Sequence, residues 1–84
     1  MRTFSPLPEE IERAGTGVVD AAYKVHKALG PGLLESVYEA CLTHEIRQRG
    51  FLVVRHLKLA SKPLGFLINF NVPVIKQGIT RMRL

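Results

Sequence analysis

Glu35 and Tyr38 stand three residues apart in the stretch Gly32-Leu33-Leu34-Glu35-Ser36-Val37-Tyr38. A carboxylate is a hard oxygen ligand of the kind that Mg²⁺ binds, and a tyrosine hydroxyl both donates and accepts hydrogen bonds. Glu35 is therefore the first catalytic candidate and Tyr38 the second. A single carboxylate makes a poor Mg²⁺ site, however, and no Asp or Glu follows Glu45 in the chain.

Both residues also have a structural interpretation. If Gly32 is the N-cap of a helix, Glu35 is the third helical residue, where its carboxylate hydrogen-bonds back to the cap amide. Tyr38 lies one turn later on the same face. Its ring is expected to pack between helices while its hydroxyl finds a partner. For Glu35 the structural role is favoured over the catalytic one.

The cysteine, the histidines and Asn69 are expected to have structural roles and no catalytic ones. Cys41 and His44 share a helix face, but a zinc site would need two further ligands from His26 and His56 alone, so no metal site is predicted. Cys41 falls on an apolar stripe and is expected to pack there. His26 is expected to be a hydrogen-bonded helix residue. Asn69, inside an apolar run, predicts a buried and hydrogen-bonded amide.

Charge divides the chain into two unequal halves. Residues 1–45 carry four basic and seven acidic side chains, a net −3, whereas residues 46–84 carry eight basic and no acidic ones, a net +8. A basic half suits contact with DNA or RNA phosphates, although solvated charges on strands and turns are the alternative. The candidate nucleic-acid contacts are Arg55, Lys58, Lys62, Arg81 and Arg83.

The first half of the chain predicts a helical pair. After an extended lead-in over residues 1–8, apolar residues at spacings of three and four predict a helix from about Glu9 to Leu29. Gly30-Pro31-Gly32 ends it, since Gly30 suits a left-handed C-terminal cap and Pro31 cannot continue the helix. A second helix is predicted from about Leu33 to Arg49, with an apolar stripe formed by Leu34, Val37, Tyr38, Cys41, Leu42 and Ile46.

The second half predicts strands. Phe51–Val54 is a short β-type run, and His56–Ser61 fits either a strand or a helical turn. Gly65–Phe70 is a nearly continuous apolar run, typical of a buried strand, and Ile79–Leu84 alternates like a half-exposed closing strand. The sequence predicts one α/β domain over residues 1–84: a helical pair followed by a small sheet of two to three strands.

Composition excludes several classes of protein. The hydrophobic fraction of 46% is globular, and one cysteine excludes an internal disulfide. The longest apolar run, Leu64–Phe70, is too short to cross a bilayer, and Met1–Pro6 lacks the apolar segment of a secretory signal. A cytoplasmic protein without membrane contact is expected.

Two stretches resemble one family. Val25–Glu39 resembles the opening of the family named for its Gly-x-x-Glu-x-x-Tyr motif, which is assigned to the PD-(D/E)XK nuclease-like superfamily. Leu57–Pro73 looks like the end of the same family, and Gly78–Arg81 like its last strand. The resemblance implies a restriction-endonuclease-like fold, Mg²⁺ as cofactor, phosphodiester hydrolysis, and a position for Glu35 near the metal.

The chain departs from that family between the two stretches. In such nucleases the central strands carry an Asp and then a Glu-x-Lys, whose carboxylates hold the metal. Here Val54-Arg55 runs almost directly into His56-Leu57-Lys58, and Asp20 is the only Asp. The chain therefore resembles an internally shortened member with a reduced fold, for which no cofactor is expected.

Three functions follow as hypotheses. The favoured one is a catalytically inactive, truncated nuclease-like protein that retains nucleic-acid binding. The second is an active Mg²⁺-dependent nuclease, as the resemblance alone implies. The third is a protein-interaction module. A reduced sheet would leave apolar helix and strand faces uncovered, which predicts a homo-oligomer.

Overall fold

The computed structural model describes residues 9–50 and 64–83. Its elements are α1 (Glu9–Leu29), α2 (Glu35–Gln48), β1 (Leu64–Ile68), a 3₁₀ turn (Ile75–Gly78) and β2 (Ile79–Arg83). The order confirms the predicted α/β arrangement of two helices followed by a small sheet. Phe51–Val54 and His56–Ser61, whose structure was predicted above, lie outside the described residues.

The first helix packs on the sheet through a glycine. Ala21, Ala22 and Val25 are buried on its apolar side, and Gly15 is buried one to two turns earlier. A Cβ atom at Gly15 would lie 3.0 Å from Leu64 Cδ2 and 3.5 Å from the Phe66 ring. Gly15 therefore marks a close approach of α1 to β1, and the helix runs through it without a break.

The loop between the helices begins as predicted but ends later. Gly30 takes the left-handed conformation, with φ of 68°, and its amide donates to the His26 carbonyl at 2.8 Å. Gly32 has φ of 99°, and the extended residue before the helix is Leu34, which makes no side-chain cap hydrogen bond. The predicted Gly32 cap is therefore wrong, and Glu35 is the first helical residue instead of the third. Gly32 is instead needed for the turn itself.

Only part of the predicted apolar stripe on α2 faces the core. Tyr38 is buried, and Cys41 and Leu42 are half-buried against the core. Leu34 is 75% exposed and Val37 is also exposed, which agrees with the expectation that a reduced sheet leaves apolar helix surface uncovered. The helix ends at Gln48, and Gly50 follows with a left-handed φ of 85°.

The two strands form an antiparallel pair with one covered face. Phe66 lies opposite Arg81, and Leu67 lies opposite Thr80. The face that carries Phe66 packs on α1, whereas Leu67, on the other face, is 64% exposed. The apolar run indicated a buried strand, but the reduced sheet was also expected to leave apolar strand faces uncovered, and the exposure of Leu67 agrees with that second expectation.

Residues 69–78, which include the 3₁₀ turn Ile75–Gly78, connect the strands. The Asn69 amide donates to the Gly78 carbonyl at 2.8 Å, and the Asn69 side-chain oxygen accepts from the Asn71 amide at 3.0 Å. Asn69 is thus hydrogen-bonded as predicted, but it is exposed, because β1 ends at Ile68 instead of Phe70. Its side-chain oxygen closes an Asx-type turn.

The core forms where the turn meets the helices. Ala22, Val25, Tyr38, Phe70 and Ile75 make one buried cluster, with Leu29, Cys41, Leu42, Ile68 and Ile79 packed around it. Within residues 9–50 and 64–83, no helix combines the length and the apolar character needed to cross a membrane.

Candidate functional site

Tyr38 ties the interhelical loop to α2. Its hydroxyl donates to the Gly30 carbonyl at 2.6 Å and accepts from the Leu33 amide at 3.0 Å. The side chain is almost fully buried, with 2% of its surface exposed. The prediction of a packed ring with a hydrogen-bonded hydroxyl is confirmed. Both hydrogen bonds go to backbone groups of the loop, so the hydroxyl holds the loop in place.

The Tyr38 ring also reaches the second half of the chain. It stacks on Phe70 with ring centroids 4.7 Å apart and an angle of 6° between the planes. Stacked aromatic pairs contribute about 0.5–1.5 kcal/mol beyond their buried area. Phe70 lies two residues after the end of β1, so this contact joins α2 to the turn between the strands.

Two further hydrogen bonds connect the same regions. The Gly32 amide donates to the Asn71 side-chain oxygen at 2.7 Å, and His26 Nε2 lies 2.7 Å from the Val72 carbonyl. A carbonyl only accepts, so Nε2 carries the proton in this contact. The expected structural role of His26 is therefore confirmed. The Gly-x-x-Glu-x-x-Tyr stretch forms a structural junction between the helical pair and the turn after β1.

Glu35 does not join that junction. It is exposed at the start of α2, whereas Tyr38 is buried, so the structure does not bring the two catalytic candidates into one enclosed site. The described residues contain no group of three or more His, Cys, Asp or Glu side chains that could hold a metal ion. One exposed carboxylate does not satisfy Mg²⁺, which requires oxygen ligands in near-octahedral geometry, so Glu35 does not fit the metal that the resemblance implies.

The candidate nucleic-acid contacts divide into two groups. Arg55, Lys58 and Lys62 lie outside the described residues. Arg81 and Arg83 belong to β2, and the Arg81 guanidinium forms an ion pair with Glu12 in the first turn of α1. The side chains of Arg81 and Glu12 are 48% and 44% exposed, so both remain accessible to solvent.

Sequence reasoning missed a charge cluster between the helices. Glu45 Oε2 lies 3.2 Å from Lys24 Nζ and 3.1 Å from an Arg49 guanidinium nitrogen. The hydrogen bond from Lys24 is the main cause that lowers the pKa of Glu45, with Arg49 adding to it and desolvation opposing it. The spacing of Glu45 and Arg49 already indicated a helical ion pair, but nothing in the sequence indicated Lys24.

Two shallow grooves lie beside α1. The interhelical groove, of about 320 Å³, lies against Lys24, Val25, Ala28, Leu29, Ala40, Cys41, His44 and Glu45. The helix–sheet groove, of about 270 Å³, is lined by Glu12, Gly15, Thr16, Val19, Phe66, Ile79 and Arg81. The second groove contains the Phe66 ring, the Thr16 hydroxyl, which donates to the Glu12 carbonyl, and the Arg81 guanidinium.

Comparison with known proteins gives one match. Residues 12–60 match the family model of the PD-(D/E)XK nuclease superfamily. This range includes most of α1, all of α2, and both Glu35 and Tyr38. No curated protein and no solved structure matches the chain. Since the match covers more than half of the sequence, the chain belongs to the PD-(D/E)XK nuclease superfamily.

Proposed function

We propose that this protein is an internally shortened member of the Gly-x-x-Glu-x-x-Tyr family that binds nucleic acid without cutting it. The observation that carries the proposal is the charge of the second half of this nuclease-like chain. Residues 46–84 contain eight basic side chains and no Asp or Glu. Basic side chains are what phosphate binding needs. Metal-dependent hydrolysis needs carboxylates, and these are missing from residues 46–84.

The proposed absence of cleavage follows from the ligand chemistry. In a metal-dependent nuclease, several carboxylates hold the cation that activates water and stabilises the charged phosphoryl group. The acidic residues of this chain all lie in the first 45 positions, where Glu12 and Glu45 form ion pairs with basic side chains. Glu35 is the exposed first residue of α2 and, among the described residues, lacks the companion carboxylates that a metal would need.

The proposed binding follows from the charge of the strands. Arg81 is half-exposed on β2, and Arg83 follows two positions later in the same strand. The two residues place two cationic side-chain types in one short strand. Dispersed cations of this kind contact phosphates and give affinity without sequence preference.

Salt dependence tests the binding. We expect the chain to bind a DNA or RNA oligonucleotide at low salt, with affinity that falls steeply as salt rises. The double substitution Arg81→Ala and Arg83→Ala should lower affinity and reduce the slope of log K against log[salt] by about one for each phosphate that is no longer neutralised. Lys27→Gln, an exposed cation at the far end of α1, is the control and should leave the slope unchanged. Absence of binding at low salt would refute the proposal.

Self-association is a second candidate, favoured by a different observation. Leu34, Leu67 and Val74 are 75%, 64% and 53% exposed, which is a large apolar exposure for a short chain. Apolar surface of this kind favours contact with another chain. We propose a homo-oligomer, which light scattering after size-exclusion chromatography would show as a mass above 9.4 kDa. A stable monomer over a wide concentration range would contradict it.

A further inference from the structure

The helix–sheet groove brings an aromatic ring and a cation together. Phe66 is half-buried and lines the groove, and Arg81, which is about half-exposed, lines it as well. Its volume of about 270 Å³ falls below the range of about 300–1,000 Å³ that encloses drug-sized ligands, so it accommodates a single ring system. An aromatic ring beside a cation is the combination that single-stranded nucleic-acid binders use for a base and its phosphate.

We propose that this groove holds one nucleotide of a single-stranded nucleic acid, an inference that rests on the nucleic-acid binding proposed above. The base enters the groove and contacts the Phe66 ring, while the adjoining phosphate contacts the Arg81 guanidinium. Bases of a duplex are stacked and paired, so they do not reach a ring that lies inside a groove. The site therefore selects single strands over duplexes.

Glu12 lowers the affinity of this site for the phosphate, because it competes for Arg81. In the free protein the Glu12 carboxylate forms an ion pair with the Arg81 guanidinium, which is the group that would bind the phosphate. Both side chains are about half-exposed, and ion pairs in such positions contribute little to stability, so a phosphate displaces the carboxylate at small cost. The phosphate and Glu12 compete for one cation.

Two substitutions test the role of Glu12 by fluorescence anisotropy in EDTA. Glu12→Gln frees Arg81 and should raise affinity for a labelled oligothymidylate about 1.5- to fivefold. Glu10→Gln is the matched control, because it removes an exposed carboxylate from the same helical turn without contact to Arg81 and changes net charge equally. Equal effects of the two substitutions would overturn the role of Glu12.

Phe66→Leu keeps an apolar side chain on β1 but removes the stacking surface. We expect at least about a fivefold decrease in affinity for the single strand and no decrease for a duplex of matched length. Leu67→Ala, on the exposed face of the same strand, should change neither. An equal decrease for both probes would overturn the proposal.

A third measurement keeps the proposal testable if Phe66→Leu unfolds the chain. In the unsubstituted protein, addition of the single strand should shift the backbone amide NMR signals of Thr16 and Phe66, which line the groove. Single-strand binding that leaves both signals unmoved would refute this site and leave the proposed nucleic-acid binding intact. Failure of both probes to bind at low salt would refute both proposals.

Discussion

The Tyr38 ring lies flat against Phe70, 4.7 Å between centroids, and joins two parts of the chain that are distant in sequence. Because Phe70 follows the first strand, this contact fixes the position of the strand-to-strand turn against the helical pair. The Tyr38 hydroxyl simultaneously holds the loop that starts α2. The tyrosine of the Gly-x-x-Glu-x-x-Tyr stretch thus acts as a structural element in this chain.

Removal of the Tyr38 hydroxyl should therefore destabilise the fold. Tyr38→Phe keeps the stacking on Phe70 but leaves the Leu33 amide and the Gly30 carbonyl without their shared partner. Because both hydrogen bonds are only partly buried, their loss should cost about 0.5–1.5 kcal/mol each. Urea denaturation followed by circular dichroism measures the decrease in stability. Tyr23→Phe, at an exposed position of α1, is the control, and equal stability of the two variants would contradict the assigned role.

Gly78 should not tolerate a side chain. A Cβ atom there would clash with the Asn69 carbonyl oxygen and lie 3.0 Å from Val72 Cγ2. Gly78→Ala therefore forces the turn between the strands apart, and overpacking of this kind costs about 1–3 kcal/mol. Thermal unfolding measures the shift in midpoint. The neighbouring exposed Gln77 provides the control, since Gln77→Ala should change the midpoint little.

Stability should depend on pH through Glu45. Lys24 and Arg49 hold the pKa of this carboxyl below its ordinary value in the folded protein. The unfolded chain therefore binds a proton more readily than the folded one as the pH falls. The contribution of Glu45 is complete above the pKa of the unfolded state and disappears as the pH falls through the lower pKa of the folded state.

Unfolding free energies of the unsubstituted chain and Glu45→Gln test this sign. The difference between them should be largest at neutral pH and should shrink as the solution is acidified. Glu10→Gln removes an exposed carboxylate near the start of α1, away from Lys24 and Arg49, and should show a smaller pH dependence. A difference that grows on acidification would contradict the proposed linkage.

The helices could be predicted from the sequence because their signals are local. The apolar spacing predicted the extent of α1, and Gly30 predicted the left-handed cap that ends it. The start of α2 could not be predicted as well, since Gly32 belongs to a turn held by Asn71, a residue distant in sequence. Rules for helix caps use only neighbouring residues, so they do not predict the hydrogen bond between Gly32 and Asn71.

The candidate site was predicted only in part, because local positions can be predicted from the sequence whereas partners distant in sequence cannot. The packing of Tyr38 and the hydrogen bonding of His26 followed from their positions on helical faces, although their partners, Phe70 and Val72, did not. The pairing of Arg81 with Glu12 depends on how β2 lies against α1, and charge patterning alone does not give that geometry. Uncovered strand surface was expected from the reduced sheet, but the strand register that exposes Leu67 could not be predicted.

The central claim is that the chain binds nucleic acid but does not cut it. Its most direct test incubates the purified protein with labelled single- and double-stranded oligonucleotides in Mg²⁺ or EDTA, and measures binding and cleavage in the same samples. The account predicts salt-sensitive binding of similar strength in both solutions and intact oligonucleotides throughout. Cleavage that requires Mg²⁺ and disappears in Glu35→Ala would contradict it, because Glu35 would then hold a catalytic metal.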